Sequence, residues 1–404
     1  MKVALFANTD WYLYNFRLPL AQAIQAQGHE VVLISPPGRY AEQLEQAGFR
    51  WIAFPLKRRR LNPLAEMITV LRLVRLYRRE RPDLVHHFTV KCVLYGSIAA
   101  HLARIKAVVN ALAGLGHMFS SDSVQAKVLK CLFKQICKFA LRHTQVIFQN
   151  PDDLRGFLEQ DLIAEQAGHL IRGSGVDTAR FKPEAKGLQN GKRSVLLASR
   201  LLWAKGVAEY VEAARLVRES LSNAVFFIAG ETDPGNPTAV PPEVIAEWKR
   251  QGDVEILGHR EDMQALLGKV DVVALPTYYG EGVPRILIEA AASGKPLVAS
   301  DMPGCREIVQ HGHNGMLVAP KDSQQLAAAI KAILLDDERR TEMGRRSRQL
   351  ACQDFSQEEV ISKTLQVYQQ ALPAERIINV GDWLNGKLVE IPNSMPLPSP
   401  IGSE

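Results

Sequence analysis

The sequence predicts an α/β protein built from two Rossmann-like domains that face each other across a cleft. Three observations carry that expectation. Short apolar runs alternate with longer stretches of helical periodicity, as in parallel sheets covered by helices. The alternation breaks once, in a polar and Gly-rich stretch, and then restarts. The length, 404 residues, exceeds one comfortable core and fits two domains of ordinary size.

In the first half the strands are read as KVALFA (2–7), EVVLIS (30–35), WIAFP (51–55), LVHHF (84–88), AVVNAL (107–112) and QVIFQ (145–149). Between the early ones lie FRLPLAQAIQAQGH and YAEQLEQAGF, helices stopped by Gly28 and Gly48. The stretch AGHLIRGSGVDTARFKPEAKGLQNGKR then interrupts the pattern, and a boundary is expected within Pro183 to Arg193. Strands resume with SVLLAS (194–199), AVFFIAG (224–230), VEILG (254–258), VDVVALP (270–276), PLVAS (296–300) and MLVAP (316–320). The expected division is 1–185, 186–355, a C-terminal helix in 356–376 that packs back on the first domain, and a flexible tail, 377–404.

Composition narrows the class. The chain is 47% apolar and 23% charged, as in soluble globular proteins. No stretch approaches the ~20 apolar residues of a membrane helix. The apolar N-terminus runs at once into Asp10 and reads as a strand, not a signal peptide. Five cysteines without paired spacing suggest free thiols in a reducing compartment, the cytoplasm, and no zinc site. The net charge of +6 is concentrated locally. Arg72, Arg75 and Arg79 share one helical stripe, and Lys130, Lys134, Lys138 and Arg142 share another, with Leu129, Leu132, Phe133, Ile136 and Phe139 opposite. These are either solvated helix faces or a surface for an anionic bilayer. No zinc-finger spacing, RNA-binding aromatic signature or helix-turn-helix pattern accompanies the charge, so nucleic acid is not expected.

Neither half has G-x-G-x-x-G after its first strand, and Walker, G-x-S-x-G and Asp-x-Asp motifs are absent, so no metal is expected. Four other features suggest chemistry. SRLLWAKG sets Arg200 and Lys205 beyond a strand, two cations suited to a diphosphate or simply to a solvated loop. GEGVPRILIEA places Glu281 before a helix and Glu289 within its apolar body; a ribose diol or a neighbouring Arg would satisfy Glu289. Backbone N–H groups at that helix start are expected to point into the cleft. SDMPGCREIVQHGHNGMLV reads as mostly architectural, with Gly304 able to admit a ligand close to the backbone. In the first half, His117 lies in a Gly-rich loop, one of His86 and His87 is expected to face the core, and Asn8, Asp10 and Arg17 follow the first strand.

In these segments, taken together and in order, the chain resembles glycosyltransferase family four, retaining nucleotide-sugar enzymes of the GT-B fold. The resemblance runs from Lys2 to about Ala371 and rests on SRLLWAKG, on VEILGHREDMQALLGKVDVVALPTYYGEGVPRILIEAAASGKPLVASDMPGCREIV, on HGHNGMLV and on GSGVDTARFKP. It implies that Arg200 and Lys205 hold the donor diphosphate, that Glu281 contacts the transferred sugar and that Glu289 binds the ribose. It also implies that Gly282, Val283 and Pro284 cradle sugar and phosphate, that Leu257 to Arg260 seat the base, and that His117 contacts the donor. Many members carry Gly-Gly after the first strand. Here the segment is FANTDWYLYNFR, which suggests that Asn8 to Arg17 serve the acceptor. YNFR and the GLG loop look most like bacterial members that extend lipid-linked oligosaccharides, with a polyprenyl-linked acceptor and an anionic membrane surface as partners. A UDP-linked hexose or N-acetylhexosamine is the implied donor. The alternatives are a nucleotide-sugar epimerase on the same architecture and a non-catalytic donor-binding subunit.

Overall fold

The computed structural model describes residues 1–56, 62–114, 134–184, 191–233 and 235–373. His117, Lys130, Cys131, the apolar residues Leu129, Leu132 and Phe133, and the tail 377–404 lie outside the described residues. The first sheet contains β1 (Lys2–Phe6), β2 (Glu30–Ser35), β3 (Arg50–Ala53), β4 (Leu84–Phe88), β5 (Ala107–Leu112), β6 (Gln145–Phe148) and β7 (Gly168–Leu170), in spatial order 3-2-1-4-5-6-7. The second contains β8 (Arg193–Ala198), β9 (Ala224–Ala229), β10 (Glu255–Gly258), β11 (Val272–Leu275), β12 (Leu297–Ser300) and β13 (Gly315–Val318), in order 10-9-8-11-12-13. The named strand pairs are all parallel. Each apolar run read from the sequence forms a strand. β7 is additional: three half-buried residues opening on Gly168, too short for an alternating pattern to show.

Both sheets reverse strand order once, between β1 and β4 and between β8 and β11. At such points adjacent connections leave on opposite faces, and a crevice opens beyond the strand carboxyl ends. Polar caps place the helices at these edges. Asn62 caps Pro63–Glu80 by accepting from the Leu64 and Ala65 N–H groups, and Asn150 caps Pro151–Glu159 by accepting from Asp153 N–H.

The chain crosses between the units twice, and the crossings lie side by side. Val176 N–H donates to the Phe355 carbonyl at 2.9 Å, and Gln357 N–H to the Val176 carbonyl at 3.0 Å. The helix Gln357–Ala371 then joins the core of the first sheet, where Ile361, Leu365 and Tyr368 pack with Leu5, Ile24 and Phe88. Its Tyr368 hydroxyl is 2.7 Å from Nδ1 of His86. His87 is 3.0 Å from the Tyr77 hydroxyl and 2.8 Å from the Asn110 side-chain oxygen. Both histidines are buried, not one, because β4 is central and covered on both faces, so alternation offers neither an exposed side.

The basic helices carry an unexpected feature. Arg72, Arg75, Arg78 and Arg79 are exposed along Pro63–Glu80, but so are Leu64, Met67, Ile68 and Leu71 on its first half. In the helix 134–141, Ile136 and Phe139 are exposed as well, and Cys137, Ala140 and Leu141 make the packed face instead. No helix among the described residues is long and apolar enough to cross a membrane.

Burial holds His87 neutral, with its pKa pushed down to about 4, and drives His86 down as well. Unfolding lets both rings take a proton near pH 6.5, so the unfolded chain binds more protons than the native one at acid pH. The contribution of His87 is therefore fully present above pH 6.5 and is lost, by about 3 kcal/mol, as pH falls to 4. Thermal unfolding of His87→Gln across that range should show a shallower acid loss than the parent; an identical slope would contradict the assignment.

Candidate active site

At the switch point of the second sheet, two loops are laced together. The Tyr278 N–H and the Thr277 hydroxyl both donate to the Ala204 carbonyl, at 2.9 and 3.2 Å. Gly206 permits this contact: its φ is +74°, and a side chain there would strike the Pro276 carbonyl. The lacing sets Lys205, buried at 8% exposure, with its Nζ 2.5 Å from Oε1 of Glu281. The Thr277 hydroxyl oxygen lies 3.3 Å from the same carboxylate oxygen, and the ammonium lies 5.6 Å from the Tyr279 ring centroid. Arg200 is not brought to this pair. It stands more exposed in the same loop, with Nη1 2.9 Å from Asp233.

Within the protein, Glu289 has a neighbouring arginine as its partner. Arg285 Nε donates to Glu289 Oε1 at 2.6 Å, one helical turn away. The helix start is also less open than expected. Val283 N–H donates to the Gln149 side-chain oxygen at 3.1 Å, and Pro284 has no N–H to offer. The first domain thus occupies the amide expected to face a ligand. Gly282 lies so close to Gln149 that a Cβ would collide with the amide oxygen, and a Cβ on Gly304 would meet the Gly282 carbonyl. Arg260 forms a two-pronged pair with Asp262 on the exposed rim, at 2.5 and 2.7 Å.

In the first unit, Asp10 is engaged by the protein backbone. Its carboxylate is buried and accepts from the Trp11 and Tyr40 N–H groups at 2.8 and 2.7 Å, which ties down the loop after β2. Arg17 is buried too. It stacks 4.4 Å above the Phe88 ring and donates to the Tyr12 hydroxyl at 3.0 Å, while its Nε has no partner. Asn8 remains half-buried in the crevice after β1. Leu13–Arg17 forms a π-helical turn, a local strain common where side chains are aimed at a site.

Sequence reading missed the opposite wall of the cleft. Asn150, Asp153, Tyr279, Glu281, Met302 and Gly304 line one cavity. Burial pushes the Asp153 carboxyl upward, which the Asn150 hydrogen bond partly opposes. The signal was the pair Gln149–Asn150, two polar residues ending an apolar strand, although N-P-D-D also reads as an ordinary helix start. The arrangement can seat an anion at Lys205 with a hydrogen-bonding carboxylate, Glu281, beside it.

Residues 2–150 match the family model Glycosyl transferase 4-like, and residues 179–350 match Glycosyl transferases group 1. The chain belongs to this glycosyltransferase family. It is 26% identical over 384 residues (92% of this chain and 99% of the relative) to the N,N'-diacetylbacillosaminyl-diphospho-undecaprenol alpha-1,3-N-acetylgalactosaminyltransferase of Campylobacter jejuni. It is 25% identical over 289 residues (69% of this chain, 73% of the relative) to the UDP-Gal:alpha-D-GlcNAc-diphosphoundecaprenol alpha-1,3-galactosyltransferase of Escherichia coli. Among solved structures, a glycosyltransferase from Rickettsia africae has a TM-score of 0.73 at 19% identity, covering 92% of this chain and 98% of that one. Anabaena HepE in complex with UDP has a TM-score of 0.71 at 21% identity, covering 92% and 99%. These likenesses establish the GT-B fold. The glycosyltransferase is thus a glycan-building enzyme, and the epimerase alternative falls away.

Removing one member of a buried ion pair costs more when the other is left without water. Glu281→Gln strands the Lys205 ammonium, whereas Lys205→Met leaves a more exposed carboxylate. The first should therefore lower stability by about 3 kcal/mol and the second by less. Calorimetric unfolding of the two variants measures this, and the reverse order would contradict the pair as described.

Proposed function

We propose that this glycosyltransferase moves a hexose or N-acetylhexosamine from a UDP-sugar to a polyprenyl-diphosphate-linked acceptor, with retention at the anomeric carbon. The observation that carries the reading is the Lys205–Glu281 pair at the switch point, facing the first domain. UDP is favoured by the donor named for the Escherichia coli relative and by the UDP bound in the Anabaena neighbour. Retention is favoured by the alpha linkages in both relatives' names, since the common UDP-hexoses are themselves α-linked.

The roles follow from charge. As the bond to the sugar breaks, negative charge gathers on the leaving diphosphate, so a preorganised cation there stabilises the transition state most. Lys205 supplies it, and Arg200 joins by exchanging Asp233 for phosphate oxygens. Glu281 orients Lys205 and contacts the transferred sugar, while Glu289 binds the ribose. Gly282, Val283 and Pro284 form the wall against sugar and phosphate, and Arg260 borders the base. Asn8 and Arg17 serve the acceptor, and His117 reaches the donor from its loop.

The enzyme works at the cytoplasmic face of an anionic membrane. That part rests on Leu64, Met67, Ile68 and Leu71, exposed on one helix beside Arg72 and Arg75. An apolar stripe flanked by cations suits shallow insertion, with each arginine near the surface contributing about 1 kcal/mol.

A thermal-shift panel of UDP, GDP and their common sugars should single out UDP; a shift with GDP alone would overturn that choice. Arg200→Ala and Lys205→Ala together should lower transfer by about a thousandfold, with parent-like transfer removing the phosphate-clamp role. Glu289→Ala should mainly raise KM for the donor, and Glu281→Ala should mainly lower kcat. Replacing Leu64, Met67 and Ile68 together by Ser should abolish flotation with anionic vesicles, and undiminished binding would exclude insertion through this face.

A further inference from the structure

Arg285 was not singled out by sequence, and its position is locally unfavourable. It opens the helix Arg285–Ala292, whose first turn has no acidic residue. A cation there opposes the helix dipole, which favours negative charge at the N-terminus. Tertiary contacts explain its presence. The guanidinium is engaged on three sides at once. Nε donates to Glu289 Oε1, Nη1 donates to the Asn15 carbonyl, and the plane lies 4.6 Å from the Phe16 ring centroid. Asn15 and Phe16 belong to the π-helical turn of the first domain, and Phe16 packs in turn on Trp11 and Tyr12. A rigid planar fork can hold a carboxylate, a carbonyl and an aromatic face in fixed relation, which the single point charge of a lysine cannot.

We infer that Arg285 is a positioning residue that couples the nucleotide side of the cleft to the acceptor side, by holding Glu289 in register with the segment Trp11–Arg17. The inference rests on the proposed role of Glu289 at the ribose. When the acceptor orders Trp11–Arg17, the Asn15 carbonyl and Phe16 ring fix the guanidinium, and the guanidinium fixes the carboxylate. Donor and acceptor then tighten each other's binding by the same factor, as linkage requires. Arg285 itself touches neither reacting atom.

The test titrates UDP into the full chain by calorimetry, with and without a short-chain polyprenyl-diphosphate-linked N-acetylhexosamine, for the parent, Arg285→Ala and Arg285→Lys. In the parent the acceptor should tighten UDP about tenfold, which corresponds to about 1.4 kcal/mol. In both variants the gain should fall below about twofold, while UDP affinity alone drops by less than the parent's gain. An unchanged gain in Arg285→Ala overturns the inference. So does full restoration by Arg285→Lys, which would mean that charge and not fork geometry matters, and so does a parent with no gain. Small-angle scattering of the same proteins without nucleotide separates this from the underlying function. Arg285→Ala should shift the profile toward a more open pair of domains, and an unchanged profile counts against the bridge. A parent that binds neither UDP nor acceptor would remove the proposed substrates, and the scattering comparison would still decide whether Arg285 joins the two halves.

Discussion

The contact between Lys205 and Glu281 is the interaction around which the second domain is arranged. A buried ammonium is tolerable only with an anion and further hydrogen bonds at hand. Supplying them requires that the loop after β8 and the loop after β11 meet. Gly206 makes room for the Pro276 carbonyl, and the Ala204 carbonyl accepts from Thr277 and Tyr278. The parallel sheet brings the two loops to one crevice only because strand order reverses between β8 and β11. The cation is thereby held in one place before any anion arrives.

A second constraint is how closely the domains approach. Gly282 presses on Gln149, and Val283 N–H is taken by that side chain. Across the same seam, Arg172 pairs with Glu307 at 2.6 Å. The Gln149 contacts join the segment that carries Glu281 to the end of β6, and the Arg172 pair joins the chain after β7 to Glu307. Domain position and active-site geometry are therefore one property in this enzyme. The paired crossings at Val176 and Ser356 add a backbone connection between the two halves.

The first domain spends its buried polar groups differently. Asp10, His86 and His87 hold loops and the returning C-terminal helix in place, with hydrogen bonds that close within the domain. Arg17 Nε and His86 Nε2 are each buried without a partner, the former beside an aromatic wall. Leu64, Met67, Ile68, Leu71, Ile136 and Phe139, exposed large apolar side chains of this domain, lie on its basic helices, while Trp11 and Leu102 are exposed elsewhere. Exposed apolar groups of this kind mark interaction surfaces more often than they are left bare in water.

The sequence alone determined the two α/β units, their strands and the presence of Lys205, Glu281 and Glu289 near one sheet edge. Those are local matters: apolar runs, helix stops and polar residues just past a strand are written in neighbouring positions. It could not show that β7 forms, that both histidines of β4 are buried, or that Ile136 and Phe139 face outward. Each depends on which surface another element covers. Partnership was beyond it for the same reason. The ion pair of Glu289 with Arg285 also involves Asn15 and Phe16, some 270 residues away in the chain. Nor could the sequence show that the loop ending at Tyr40 folds onto Asp10. Residue type and spacing specify what a side chain can do; only the tertiary fold decides which other groups compete for it.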